Sequence, residues 1–361
     1  MFFDRFMRYP LYLRFLTVFL VAFAGTTYAQ TAKYSNEFLN IGVDARALGM
    51  ANSVVANVSD VTAGYWNPTG LLDIKQKGEL AVMHADYFAS IAKYDYIAGA
   101  MPIDSISAIG LSMIRFGVDD ILNTTDLINK DGNIDYDRIS LFSAADYAFL
   151  ISYARKSKIE GLDFGANTKI VYRQIGDFAS AWGFGFDVAI RYRTAKWRFA
   201  AVARDVTSTF NAWRFDEAFF DEDFEALGQE PPENGLEITV PRLILGAARD
   251  FRINEKFGLL AELNTTVIFD GERNALISGE TITVEPSFGL ELDYNKWAFL
   301  RMGVGNLQRE TDFGEESVSF QPNLGFGFSY KDISIDYALT DIGDQSTALY
   351  SNVFSLKYRL K

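Results

Sequence analysis

From about residue 80 onward, apolar side chains recur at every second position in segments of about ten residues, and turn-forming residues separate the segments. Residues 182–193 carry the pattern most clearly. Trp182, Phe184, Phe186, Val188, Ile190 and Tyr192 fall on one face, and Gly183, Gly185, Asp187, Ala189, Arg191 and Arg193 on the other. The same split sets Leu162, Phe164, Ala166, Ile170 and Tyr172 against Asp163, Asn167, Lys169 and Arg173. It also sets Ile282, Val284, Phe288, Leu290, Leu292 and Tyr294 against Glu285, Ser287, Glu291 and Asp293. Residues 323–330 repeat it, with Leu324, Phe326, Phe328 and Tyr330 opposite Asn323, Gly325, Gly327 and Ser329. A strand points successive side chains to opposite sides, so each segment has one greasy and one polar face. In a soluble β-sandwich the greasy face is the core; in a membrane barrel it meets lipid and the polar face lines the lumen.

The connections favour the barrel. Fourteen segments alternate, near residues 80–88, 93–101, 106–116, 146–155, 162–174, 182–193, 196–205, 241–250, 257–268, 282–293, 296–305, 322–330, 332–340 and 349–360. Every second connection is tight: Pro102 to Ser105, Lys156 to Gly161, Thr194-Ala195, Phe251 to Lys256, Asn295 and Lys331. The long stretches 117–145, 206–240 and 306–321 all fall on the other side. Short periplasmic turns and long outer loops are the rhythm of an outer-membrane barrel. Tyr153, Tyr192, Trp197, Tyr294, Trp297 and Tyr330 cluster beside the tight turns, where aromatic rings form an interfacial girdle. The expected fold is all-β, a membrane-spanning antiparallel up-and-down barrel of about fourteen strands over residues 79–361. The last segment ends Phe354, Leu356, Tyr358, Leu360, an amphipathic finish, although Lys361 replaces the usual terminal aromatic.

Residues 1–29 read as an export signal, with Arg5, Arg8 and Arg14 before the apolar run Phe15 to Gly25 and Thr27-Tyr28-Ala29 as the cleavage site. That run is shorter than the ~20 residues of a spanning helix. The expected destination is the outer membrane of a Gram-negative bacterium, in contact with its lipid. With no cysteine there is no acylation site, disulfide or thiolate metal site.

Residues 30–78 do not alternate cleanly and are expected to fill the lumen as an N-terminal plug. The stretch FLNIGVDARALGMANSVVANVSDVTAGYWNPTGLL, residues 38–72, resembles the PorV/PorQ family of exported bacterial proteins, which is itself similar to FadL-type channels with an Asn-Pro-small motif in an N-terminal hatch. The matching positions are Asp44, Arg46, Gly49, Trp66, Asn67, Pro68 and Gly70. The resemblance implies a FadL-like barrel of fourteen strands and a role in the type IX secretion system. Its implied partners are the translocon and the C-terminal signal domains of secreted cargo. The residues alone also support a structural reading, in which Gly42, Gly49 and Gly70 permit close backbone approach and Asn67-Pro68 starts a turn. Asp44 and Arg46 are expected to pair with lumenal charges such as Arg191, Arg173, Glu285 or Glu291.

The formal charge is −13, and residues 206–240 hold nine acidic side chains against Arg214 alone. Such a field repels nucleic acid. Trp213, Phe215, Phe219, Phe220 and Phe224, interleaved with these acids, suggest a loop that docks on a partner or packs on itself. Residues Asn129 to Asp137 place oxygen side chains at alternating positions, but Tyr136 and Phe142 stand where a calcium loop needs Gly and Glu. The single histidine, His84, reads as a wall residue, and Glu291 with Asp293 as lumenal acids opposite lumenal arginines. No metal, cofactor or enzymatic activity is expected. Three roles remain open: a secretion component, a FadL-like channel passing a small hydrophobic molecule beside Leu39, Ile41, Leu48 and Met50, and a structural barrel without cargo.

Overall fold

A computed structural model describes residues 35–88, 90–124, 127, 133–216, 234–312, 315–340 and 350–361. The expected export signal, Phe219, Phe220, Phe224 and residues 129–132 of the acidic run lie outside the described residues. In chain order the strands are β1 (Gly78–Tyr87), β2 (Ala92–Pro102), β3 (Ser107–Asn123), β4 (Ser140–Lys156), β5 (Leu162–Ile175), β6 (Ala179–Arg193), β7 (Trp197–Arg204), β8 (Thr209–Phe215) and β9 (Leu236–Thr239). They continue as β10 (Arg242–Arg252), β11 (Phe257–Ile268), β12 (Ile277–Ser278), β13 (Thr283–Tyr294), β14 (Ala298–Asp312), β15 (Glu315–Tyr330), β16 (Ile333–Thr340) and β17 (Ser351–Leu360).

Each strand of the wall pairs antiparallel with its neighbours, and β17 returns to β1 with Gly78 opposite Leu360 and Asp86 opposite Asn352, which closes the ring. The closed wall has fourteen staves. One stave is split into β7 and β8, both paired with β6, and the next into β9 and β10; β12 is a short addition to β13. The first split has a local cause. Asp205 and Ser208 take left-handed backbone at φ 56° and 57°, and the Asp205 amide leaves the ladder to donate to the Asp187 carboxylate at 2.9 Å. At the second split Pro241 has no N–H to give to a ladder.

The two faces of the wall divide as the alternation requires. Along β6 the side chains of Trp182, Phe184, Phe186, Val188, Ile190 and Tyr192 are exposed on the outside, whereas Asp187 and Arg191 are buried inside, Arg191 to 1%. Outward apolar and inward polar is the inverse of a soluble protein and suits a lipid exterior. Val188→Arg at mid-stave is therefore expected to destabilise the barrel by about 2–4 kcal/mol, read as a lower urea midpoint in phospholipid vesicles. An unchanged midpoint would place Val188 away from hydrocarbon.

Three stretches expected as loops are partly wall. Strands β3 and β4 extend to Asn123 and from Ser140, β14 and β15 form a hairpin through most of 306–321, and Trp213 and Phe215 belong to β8. Above the membrane both faces of a stave meet water, so the apolar period that marks a strand fades while the hydrogen-bond ladder continues.

Residues 35–77 lie within the ring. Val43, Met50, Val54, Val55, Val58 and Val61 are almost wholly buried and share one core cluster with the inner faces of the staves. Their backbone forms two helical turns, Ala45–Leu48 and Ala63–Trp66, and two 3-10 turns, Glu37–Leu39 and Pro68–Asp73. A segment buried on every side has no period of apolar positions to show, which is why its path is not legible in the sequence.

Candidate functional site

The interior is organised around the fit of this inner segment to the wall. Asn67 joins two of its turns: its Oδ1 accepts from the Thr69 amide at 3.1 Å and the Thr69 hydroxyl at 2.7 Å, while its Nδ2 donates to the Val55 carbonyl at 2.8 Å. Pro68 then opens the 3-10 turn at a position where an amide N–H has no partner to lose. Gly70 is held so close to the Val58 carbonyl that a Cβ there would stand 2.4 Å from its oxygen. Trp66 donates to the Val43 carbonyl at 3.0 Å and Tyr65 to the Leu39 carbonyl at 2.6 Å. The Arg204 guanidinium lies 4.5 Å over the Tyr65 ring and donates to the Tyr65 carbonyl at 3.0 Å.

Charged groups tie the segment to the staves in two chains. In the first, Lys357 of β17 reaches Asp44 at 2.8 Å, Asp60 at 2.9 Å and Asp336 of β16 at 3.4 Å. Asp336 pairs with Arg301 of β14 at 2.6 Å, Arg301 with Glu291 of β13 at 2.7 Å, and Glu291 with Arg46 at 2.8 Å. Arg46 also donates to Asn57 at 2.6 Å. In the second, Arg191 and Arg193 of β6 share the carboxylates of Asp73 and Asp163, with distances of 2.7 Å from each arginine to Asp73. Glu262 of β11 accepts from the Ala56 amide at 2.7 Å and from Asn57 at 2.5 Å.

Burial pushes the Asp44 carboxyl above the usual carboxylate range, against the pull of the Lys357 ammonium. Burial acts upward on Asp60 as well, but there Lys357, the Thr62 hydroxyl and Arg46 outweigh it and hold the carboxyl below that range. One ammonium thus faces two carboxylates whose environments pull them in opposite directions.

Of the expected partners, Glu291 meets Arg46. Asp44 pairs with Lys357, not with an arginine; Arg191 is taken by Asp73 and Asp163, and Arg173 by Asp146 at 2.8 Å and Glu237 at 3.2 Å. Lys357, Asp336, Arg301 and Glu262 were not singled out from the sequence. The usable signal for Lys357 was its place on the inward face of the last segment, between Leu356 and Tyr358.

Close approach completes the fit. Gly289 and Gly303, paired across β13 and β14, face Met50: a Cβ on Gly303 would stand 2.2 Å from the Met50 carbonyl carbon. A Cβ on Gly49 would stand 2.8 Å from the Gly325 Cα. Between segment and wall, a void of about 10 Å3 is lined by Asn36, Tyr65, Lys169, Asp205 and Arg242, and at the tight-turn end a cleft of about 170 Å3 by Arg46, Asn57, Asp250, Glu291 and Lys296.

At the loop end a concavity of about 840 Å3 is lined by Tyr172, Gln174, Phe178, Arg214, Phe215 and Asn234. Trp213 sits beside it, donating to Glu237 at 2.7 Å beneath the Arg173 guanidinium. In the acidic run, Asp135 accepts from the Asp137 amide at 3.1 Å and caps the turn Tyr136–Arg138. Among the described residues no group of three or more His, Asp or Glu side chains is arranged to hold a metal.

The family model for the type IX secretion system protein PorV matches residues 26–269, more than half of the chain and all of the inner segment. The chain belongs to the PorV family. It is accordingly an outer-membrane component of type IX secretion in a Gram-negative bacterium. No curated protein matches the chain.

Solved structures similar in fold include the CymD monoaromatic hydrocarbon channel, at TM-score 0.54 and 12% identity over 89% of this chain and 98% of that one. The Ralstonia pickettii toluene transporter TbuX matches at TM-score 0.53 and 13% identity over 89% and 99%. The Pseudomonas putida toluene transporter TodX does so at TM-score 0.53 and 12% identity over 88% and 99%. The PorV family chain shares with them the FadL-like barrel architecture.

Proposed function

We propose that this PorV family protein is an anchored platform that binds secreted cargo or translocon partners at its loop end, with residues 35–77 as a fixed plug. The observation that carries this reading is the family match over residues 26–269, which includes the plug. The plug's attachments support it: two chains of buried ion pairs and glycine contacts at Met50 make its removal costly, which suits a scaffold better than a gate. The concavity beside β8 offers the docking surface, with Phe215, Phe178 and Tyr172 as apolar anchors and Arg214 at its rim.

Replacing residues 216–234 with a short linker is expected to abolish co-purification of proteins carrying a type IX C-terminal signal while leaving the barrel folded. Undiminished co-purification would remove the loop from cargo binding. The second reading, a channel for small hydrophobic molecules, draws on the fold shared with hydrocarbon channels and toluene transporters. It predicts instead that the loop replacement leaves cargo binding untouched and that loss of the protein slows growth on a hydrophobic carbon source.

A further inference from the structure

Toward the tight turns the lipid-facing side of the wall ends in exposed rings, among them Tyr192 on β6, Trp197 on β7, Phe328 on β15 and Tyr358 on β17. On β10 a guanidinium stands at this level. Alternation fixes its direction, because Ile244 and Ala248 are buried inside while Leu245 and Phe251, of the same parity as Arg249, are exposed outside. Register sets Arg249 beside Trp197 of β7 and Ala261 of β11. The guanidinium carbon lies 5.2 Å from the centre of the Trp197 ring and 4.8 Å from that of Phe251.

Ring contacts use the face of a guanidinium, whereas its N–H donors lie in its plane. Among the described residues those donors meet no acceptor. The adjacent carboxylate, Asp250, belongs to the opposite face of β10 and holds Arg198 at 2.6 Å. The flanking β6–β7 and β10–β11 turns bring Lys196, Arg198, Arg252 and Lys256 against Asp250 and Glu255. With Arg249 that is five cations to two carboxylates, in a chain whose formal charge is −13. This corner of the barrel therefore selects an anion.

We propose that Arg249, seated on Trp197 and Phe251, binds the phosphate of an anionic phospholipid in the periplasmic leaflet. A forked guanidinium meets phosphate through two parallel N–H···O bonds, and the stacked rings hold the fork in one orientation. The outward neighbours on the hydrocarbon side, Phe199 and Leu245, are exposed and apolar, so the ligand needs acyl chains as well as a phosphate. An acidic peptide or free phosphate supplies the charge alone. The surplus of cations then favours a head group of net negative charge over a zwitterionic one. The site lies on the outer side of the wall at the tight-turn end, away from the loop-end concavity, and goes beyond the platform role.

The test titrates the purified protein in detergent with dioleoylphosphatidylglycerol and, separately, with dioleoylphosphatidylethanolamine, and reads bound lipid by native mass spectrometry. Expected is tighter binding of the phosphatidylglycerol, by about fivefold or more. Arg249→Gln should remove most of that preference, while heat-modifiable migration shows that the variant barrel is folded. Lys331→Gln, which takes a cation from beside the Tyr330 ring elsewhere on the girdle, should leave the preference unchanged. If Arg249→Gln does not assemble, the double variant Lys196→Gln and Arg252→Gln, which leaves the ring contacts of Arg249 in place, is expected to reduce the same ratio. Equal binding of the two lipids, a preference undiminished by these substitutions, an equal loss in Lys331→Gln, or full displacement of the lipid by glycerol phosphate at equal concentration overturns the proposal. None of these outcomes touches cargo binding, so the platform reading stands or falls separately.

Discussion

Lys357→Met is expected to cost about 3–5 kcal/mol, the range for removing one partner from a buried ion pair. The Lys357 ammonium is the shared cation of Asp44, Asp60 and Asp336, and the substitution leaves three carboxylates in an interior with little water. The loss should appear in two places. Urea unfolding in phospholipid vesicles should shift to a lower midpoint, and amide exchange should quicken over residues 43–62 before it does in the staves, because two of the three stranded acids belong to the inner segment. Adding Asp44→Asn should restore part of the stability, since it removes a carboxyl whose ionised form burial disfavours even with Lys357 in place. A loss below about 1 kcal/mol, the value of a surface pair, would mean that water reaches the cluster.

Gly303→Leu tests the steric half of the fit. The new Cβ would stand 2.2 Å from the Met50 carbonyl carbon and 2.3 Å from the Ala51 amide nitrogen, and backbone on both sides leaves no side chain to swing away. Either β14 bends or the inner segment leaves its seat, at a cost of about 3 kcal/mol or more, the upper end of the overpacking range. The ladder from Ala298 to Gly305 does not depend on the Gly303 side chain, so the wall should close while the segment around Met50 becomes open to protease. Gly279→Leu is the control: a Cβ there meets only the Ile282 carbonyl, at 3.7 Å. Equal protease resistance in the two variants would refute a close seat for Met50.

The wall was legible in the sequence because lipid and lumen impose opposite demands on alternate residues. Trp182 to Tyr192 against Asp187 and Arg191 declare a strand and its two environments together. What the sequence hid follows from where those demands lapse. The β14–β15 hairpin beyond Gly305 and the upper part of β3 have water on both faces, so their residues read as loop. The inner segment is buried on all sides, and it is marked only by its lack of alternation and by the resemblance over residues 38–72. Charge alone leaves Glu285 and Glu291 open as partners of Arg46, and the structure seats Arg46 on Glu291. Lys357 carries no such mark: the last segment declares its greasy side, Phe354 to Leu360, and a single inward cation has no period of its own. Trp213 and Phe215 read as part of the acidic loop, but both lie in β8, where Arg173 and Glu237 hold Trp213 and the Phe215 ring stacks beside it.

The account rests on the chain acting in secretion and not as a hydrocarbon channel, and a clean deletion in the native host separates the two. Type IX cargo should accumulate in the periplasm of the deletion strain, be exported again when the wild-type gene is restored, and stay trapped when Gly303→Leu is supplied instead. Normal export without the protein, together with slowed growth on a hydrophobic carbon source, would contradict the account and favour the channel.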